Sequence, residues 1–250
     1  EPIEGEWDDP LYRVNAGARY ACTETKYLYG NYAFGHVEPR QGALTEDDMP
    51  PENEQRHTFD VGVACESDFL QTVKLGAFYT LRQDAILFSG DTYITPEGFE
   101  APFYANRDQE QYGVELECRT RPLWGLARLF VDALWMDSRV ETADGSDADD
   151  GEVPDEVINA GVYMGTGAAD LNVFAKYVGP YENDRFAASG EPEPLGDYVD
   201  VNLTAGYRFG EDRQTRVYAR LENIFDEEYS TVVGYYDPGR RVSVGVQHVF

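Results

Sequence analysis

From Tyr198 to Phe209 the chain alternates without a break. Val199, Val201, Leu203, Ala205, Tyr207 and Phe209 take one set of positions, and Asp200, Asn202, Thr204, Gly206 and Arg208 the other. A period of two places these sets on opposite faces of an extended strand, one greasy and one wet. The same division recurs in Phe59, Val61, Val63 and Cys65 against Asp60, Gly62, Ala64 and Glu66, and in Tyr112, Val114, Leu116 and Cys118 against Gln111, Gly113, Glu115, Glu117 and Arg119. Val217, Ala219 and Leu221 against Arg216, Tyr218, Arg220 and Glu222 repeat it. No run approaches the roughly 18 apolar residues of a membrane-crossing helix, since Leu126 to Trp135 is interrupted by Arg128 and Asp132. A membrane-crossing β-strand needs only about 9–11 residues and hides its apolar set by alternation. A soluble sandwich alternates as well, so the pattern alone leaves both architectures open.

The connections separate the two. Short links near Thr23-Glu24, Ser67 to Leu70, Arg121 to Leu123, Gly165 to Ala168 and Gly210 to Arg213 alternate with long ones near His36 to Gln55, Ser89 to Pro102, Arg139 to Asp155, Tyr181 to Gly196 and Phe225 to Arg240. Short turns on one rim and long loops on the other are the plan of an outer-membrane barrel. The predicted fold class is all-β: an antiparallel transmembrane β-barrel, with about eleven strands in this chain. The first, near Tyr12 to Cys22, begins on the long-loop rim and the last finishes at Phe250 on the opposite one. Bacterial barrels have even strand numbers and both ends inside, so further N-terminal strands are expected.

Composition adds exclusions. With 42% hydrophobic and 14% aromatic residues among 250, the chain is not disordered by composition. Its net charge of -27, from 47 Asp and Glu against 20 Lys and Arg, repels phosphate backbones and excludes a nucleic-acid partner. Acidic runs such as Glu46-Asp47-Asp48 and Asp147-Ala148-Asp149-Asp150 read as solvated loops. A calcium site over Asp144 to Glu152 is the sharper alternative, although its spacing is not that of an EF-hand, and a salt-adapted source would also account for the excess acid. Cys22, Cys65 and Cys118 are odd in number and fit neither a disulfide framework nor a zinc site. No signal-peptide pattern opens the chain, which begins at Glu1 and is expected to be processed or truncated.

The end of the chain is the most specific part. Arg220-Leu221-Glu222-Asn223-Ile224-Phe225-Asp226-Glu227-Glu228-Tyr229, then Val233-Gly234-Tyr235-Tyr236, then Pro238-Gly239-Arg240-Arg241 and a terminal Phe250 resemble the end of TonB-dependent outer-membrane receptors. Tyr112 to Glu117 and Leu75 to Tyr79 are similar to earlier strands of that family, and Ile224 stands where the family usually has Leu. The resemblance implies that residues 1–250 are the C-terminal part of the receptor barrel, without its plug and N-terminal strands. The full barrel has about 22 strands and a plugged lumen, and about 22 strands of ten residues would use some 220 residues before any loop. It gives Asn223, Phe225, Asp226, Tyr229, Pro238, Gly239, Arg240 and Phe250 structural roles. Asn223 and Asp226 bond local backbone, Phe225 and Tyr229 fold back on the wall, Pro238-Gly239 ends the loop, and Phe250 is the signal read by the barrel-assembly machinery. His248 is more polar than the residues usually found beside that signal.

The function implied is uptake of a ferric siderophore or another scarce nutrient across the Gram-negative outer membrane, energised by TonB through an N-terminal segment. Partners are membrane lipid, TonB, the assembly machinery and a metal-chelate or similar small ligand, with no cofactor and no metal site. Ligand candidates, aromatic and basic residues of the long connections, are Arg40, Tyr93, Phe99, Phe103, Tyr104, Arg107, Arg185, Phe186, Tyr235 and Tyr236. Each has the alternative of an ordinary loop or girdle residue. An outer-membrane enzyme is disfavoured because the three histidines, His36, His57 and His248, lie near no nucleophile elbow or metal spacing. The alternative transport reading is a complete, small, porin-like barrel without TonB coupling; a soluble β-sandwich is the third competitor.

Overall fold

The computed structural model describes residues 11–142, 145–183, 193–210 and 213–249. In chain order the strands are β1 (Arg13–Ala21), β2 (Lys26–Val37), β3 (Glu54–Cys65), β4 (Leu70–Ile94), β5 (Glu100–Thr120), β6 (Ala127–Glu141), β7 (Asp147–Asp149), β8 (Glu156–Gly165), β9 (Ala169–Val178), β10 (Tyr181–Asn183), β11 (Glu193–Leu195), β12 (Tyr198–Phe209), β13 (Thr215–Glu222), β14 (Ser230–Val232), β15 (Tyr235–Tyr236) and β16 (Arg241–His248). One antiparallel meander runs β1-β2-β3-β4-β5-β6-β8-β9-β12-β13-β16, with β7 added to β6. Small hairpins β10-β11 and β14-β15 decorate two long connections. Among the described residues no ladder joins β1 to β16, so the sheet is an open wall of eleven strands in the main path.

Register carries the sequence alternation through the whole sheet. Leu28 stands opposite Val63, Val63 opposite Leu75, Leu75 opposite Leu116, and Leu116 opposite Ala133. The same row continues through Ile158, Tyr177 and Val199. These residues share one face, and it is open: Val61 is 60% exposed, Val244 73% and Val246 68%. Only nine hydrophobic residues are buried among those described, and five are alanine. Among the described residues no second layer covers the apolar face, unlike a sandwich, whose core is built from two such faces.

The other face pairs its charges across strands. Lys74 meets Glu117 at 2.9 Å, and Asp170 is shared by Arg208 at 2.9 Å and Arg216 at 2.6 Å. Aromatic rings on this face lie over glycines of the neighbouring strand. Phe78 covers Gly113, Phe130 covers Gly161 and Tyr218 covers Gly245, each opposite the other in register, and a Cβ at any of these glycines would collide with the ring. The ring thereby fills the space a side chain would have taken and shields the weak point that glycine makes in a strand.

The two rims differ as expected, with two corrections. Residues 89–102, expected as a long loop, are mostly strand: β4 and β5 form one extended hairpin whose turn is only Thr95 to Phe99. Register shifts near Arg82/Ala85 and Phe88/Thr92 let the ladder twist and continue, and they also break the alternation that would have announced strands. At 25 residues β4 is more than twice the roughly 9–11 that cross a bilayer, so the hairpin projects well beyond the apolar band. The acidic run Asp147–Asp149, expected as a solvated loop, is strand β7, with Asp149 opposite Arg139. Asp144 lies outside the described residues, and no metal-holding cluster occurs among them. The cysteines are free. Cys65 and Cys118 both pair with Val73, so a whole strand separates them.

Candidate functional site

The projecting hairpin and the connection 38–53 build one side of the long-loop rim. The connection is strapped down at two levels. Near its start, Leu44 bridges Phe103 in parallel, the Tyr104 amide donates to the Leu44 carbonyl at 2.8 Å, and the Tyr93 hydroxyl donates to the Gly42 carbonyl at 3.4 Å. Near its end, the Asn106 side chain clamps Glu52. Its Oδ1 accepts from the Glu52 amide at 2.8 Å, and its Nδ2 donates to the Glu52 carbonyl at 3.1 Å and to the Asp84 carbonyl at 2.8 Å. The rings of Tyr93 and Phe103 lie 4.7 Å apart across the hairpin. Beneath this strap is a cavity of about 330 Å³ lined in part by Arg40, Glu54, Arg56, Arg82, Tyr104 and Glu152.

A polar network forms the floor. Glu54, 1% exposed, takes a forked pair from Arg82 at 2.8 and 2.6 Å and a second pair from Arg56 at 2.9 and 2.7 Å. Arg82 also donates to Gln109, Gln109 to Asp150, and the Ser138 hydroxyl to Asp150 at 2.9 Å. Buried polar groups are tolerable only when satisfied, and this chain of donors satisfies Glu54, Gln109 and Ser138 together. The network sets two carboxylates, Glu54 and Asp150, against Arg56 and Arg82, and the cavity above it is lined by Arg40, Glu38 and Glu152 as well, so acid and base are balanced there. The sequence reading missed this network because Glu54 and Arg56, Arg82, Gln109 and Ser138 lie on strands β3, β4, β5 and β6, with Asp150 just past β7, and they meet only through register. The available signal was charge and amide at wet-face positions near the long-loop ends of adjacent strands.

The connection 223–240 closes on itself. Asn223, buried at 3% exposure and with φ 49°, accepts from the Glu227 amide at 2.9 Å and donates to the Glu227 carbonyl at 2.8 Å. Asp226 accepts from the Arg240 amide at 2.8 Å, and Asp237 accepts from the Gly239 amide at 2.9 Å and from the Tyr229 hydroxyl at 3.2 Å. Gly239 has φ 74°, and the free φ expected there is used. Tyr229 stacks on buried Tyr198 at 3.9 Å between ring centres. Burial first, then the carboxylates of Asp200 and Asp237, push the Tyr229 hydroxyl far above its ordinary value. Phe225 departs from expectation: it is 68% exposed rather than folded on the wall, because the left-handed turn at Asn223 carries it away. A second cavity, about 610 Å³, lies between this connection and β11, lined by Leu195, Tyr229, Tyr236 and Asp237 among others.

The structure therefore sets Arg40 and Tyr104 in the lining of one cavity and pairs the Tyr93 and Phe103 rings elsewhere on the same strapped hairpin. Phe99 stands at the hairpin tip, 71% exposed, and Arg107 is half-buried lower on β5, opposite Ala85. Tyr235 and Tyr236 are 72% and 80% exposed on β15, and Tyr236 belongs to the second cavity. Arg185, Phe186 and Phe250 lie outside the described residues.

Comparison with known proteins gives one consistent answer. The family model described as TonB dependent receptor-like, beta-barrel, matches residues 10–224. The rhizobactin receptor of Rhizobium meliloti (strain 1021) is 23% identical over 261 residues, covering 92% of this chain and 31% of its own. Among solved structures, the ferric-catecholate import receptor Fiu of E. coli K12, in a closed form, superposes with a TM-score of 0.72 at 17% identity, covering 94% of this chain and 34% of its own. The copper transporter OprC superposes with a TM-score of 0.76 at 17% identity, covering 97% and 40%. The chain spans about a third of the length of such relatives. The two-faced wall and the unequal rims are thus explained together: the chain belongs to the TonB-dependent receptor-like β-barrel family of the Gram-negative outer membrane.

Proposed function

We propose that this chain is the C-terminal part of the barrel wall of a receptor that takes up a ferric siderophore or a similar scarce nutrient, energised through TonB by an N-terminal segment preceding the wall. The observation that carries the reading is the strapped hairpin. Tyr104 and Arg40 line the cavity with Glu54, Arg82 and Arg56, and the paired rings of Tyr93 and Phe103 stand on the same hairpin, on the rim that faces the medium in such barrels. Rings fixed by main-chain bonds lose little freedom when a ligand arrives. Phe99, Arg107, Arg185, Phe186, Tyr235 and Tyr236 are proposed as further contacts from the same rim. The name of the rhizobactin receptor supports a siderophore as the cargo. The apolar face is proposed to meet membrane lipid, and Phe250 to meet the assembly machinery.

The test is uptake of radiolabelled ferric siderophores by cells whose only receptor is the whole protein containing this wall, with and without TonB. TonB-dependent uptake that falls when Tyr93 and Phe103 are both changed to Ala is the expected result. Passage of small solutes independent of TonB would replace the reading with a porin-like barrel.

A further inference from the structure

The ladder joining β3 to β4 ends at Gln55 opposite Gln83, while β4 runs on to Ile94 against β5. From Ala85 to Phe88 one edge of β4 is therefore paired with β5, and among the described residues the other has no strand beside it. The connection 38–53 joins main chain to main chain only on the β5 side of the hairpin, through Leu44 and Tyr104. Free strand edges are ordinarily blunted by charge, proline or a bulge within them. Ala85-Ile86-Leu87-Phe88 has none of these, its register shifts falling on either side of it.

The Tyr104 bond shows which groups this edge presents. In an antiparallel ladder the N–H and C=O of one residue point to the same side, and residues directly opposite share that choice. Tyr104 gives its amide to Leu44 and so turns away from β4. Phe88, opposite it, turns away from β5, and Ile86, two residues earlier in an unbroken register, does the same. The edge thus offers the amide and the carbonyl of both Ile86 and Phe88, and no described residue outside the hairpin bonds them. Ile86, Leu87 and Phe88 also line the cavity of about 330 Å³, together with Val37, Pro39 and Ala43 from the start of the connection.

We propose that this edge binds a free basic peptide from the medium, held extended as a short extra strand on β4. Pairing with Ile86 and Phe88 supplies the affinity, and the adjoining cavity takes a side chain of the peptide. Charge selects the kind of peptide. The connection beside the slot carries Glu38, Glu46, Asp47, Asp48 and Glu52 against Arg40 alone, which draws in lysine-bearing chains and repels acidic ones. The proposal does not depend on the chelate reading, since siderophore uptake and peptide binding can each fail while the other holds.

The experiment measures fluorescence anisotropy of the whole receptor, purified in detergent, with a fluorescein-labelled hexapeptide of alternating lysine and valine. Binding is expected, with affinity lower by about tenfold or more when every peptide amide is N-methylated, a change that keeps side chains and charge but removes the donors. A glutamate–valine hexapeptide is expected not to bind. Phe88→Pro removes one donor from the free edge and none from the β5 ladder, so it should weaken binding, whereas Phe88→Ala, which keeps the amide, should retain the sensitivity to N-methylation. Absence of binding overturns the proposal, and so does equal binding of the N-methylated peptide, which would show attraction by charge alone. Equal binding of the glutamate peptide overturns the choice of a basic partner, and full binding to folded Phe88→Pro overturns the assignment to this edge.

Discussion

The closing motif shows why single residues of this chain are chosen for backbone as much as for side chain. Asn223 and Asp226 both sit at left-handed φ, 49° and 60°, where Asn and Asp are among the few tolerated non-glycine residues. Each then spends its side chain on a main-chain group across the loop. That much was legible, since Asn and Asp leaving a strand announce local bonding. The fate of the two aromatics was not: Tyr229 finds Tyr198, whereas Phe225 finds nothing, because the choice depends on which way the loop turns after Asn223. Tyr229 lies outside the membrane-crossing segments, and its hydroxyl is held above the ordinary tyrosine value of 10.0 in the folded loop. The folded state therefore keeps its proton where the unfolded chain gives it up, and stability falls as pH rises from about 10 upward. Unfolding of the receptor followed between pH 9 and pH 12 is expected to show this loss, and Tyr229→Phe to flatten it. An unchanged slope in the variant would place the alkaline sensitivity elsewhere.

At the level of strands, alternation identified the faces because lipid and lumen impose a period of two on every segment. It failed where that demand stops. Above the apolar band, β4 and β5 continue through residues such as Gly90, Asp91 and Thr92 with bulges and no preferred face, so their sequence looks like loop although their main chains still pair. The ring-over-glycine pairs were likewise invisible, since Tyr218 and Gly245 are matched only by register. These pairs yield a double-mutant prediction. The three atoms nearest to a methyl at Gly245 all belong to the Tyr218 side chain, so Gly245→Ala alone overpacks the site and is expected to destabilise the barrel by about 1–3 kcal/mol. In a Tyr218→Ala background the same change should cost much less, giving a coupling that denaturant unfolding of the whole receptor can measure. Additive effects would mean that the ring does not rest on the glycine.

On the scale of the whole molecule, the sequence gives the total charge and the topology gives its address. The long connections, residues 38–53, 142–155, 179–197 and 223–240, together with the projecting end of the β4–β5 hairpin, residues 83–108, hold 25 Asp and Glu against only Arg40, Arg107, Arg185 and Arg240, or −21 of the chain's −27. Residues 1–10 carry five more acids, so the wall and short turns are close to neutral. The strand order puts these four connections and the hairpin end on one rim. The outward mouth is therefore a strongly negative surface, and the arginines beneath it, Arg56 and Arg82, are paired with Glu54. Such a field slows the approach of an anionic chelate and speeds that of a cationic one, and salt screens both effects over a Debye length of about 10 Å at 0.1 M. Stopped-flow association with the purified receptor is expected to quicken for an anionic ferric chelate as sodium chloride rises from about 10 to 150 mM, and to slow for a cationic analogue. Equal salt dependence for the two would show that the acidic connections are cancelled by the rest of the mouth.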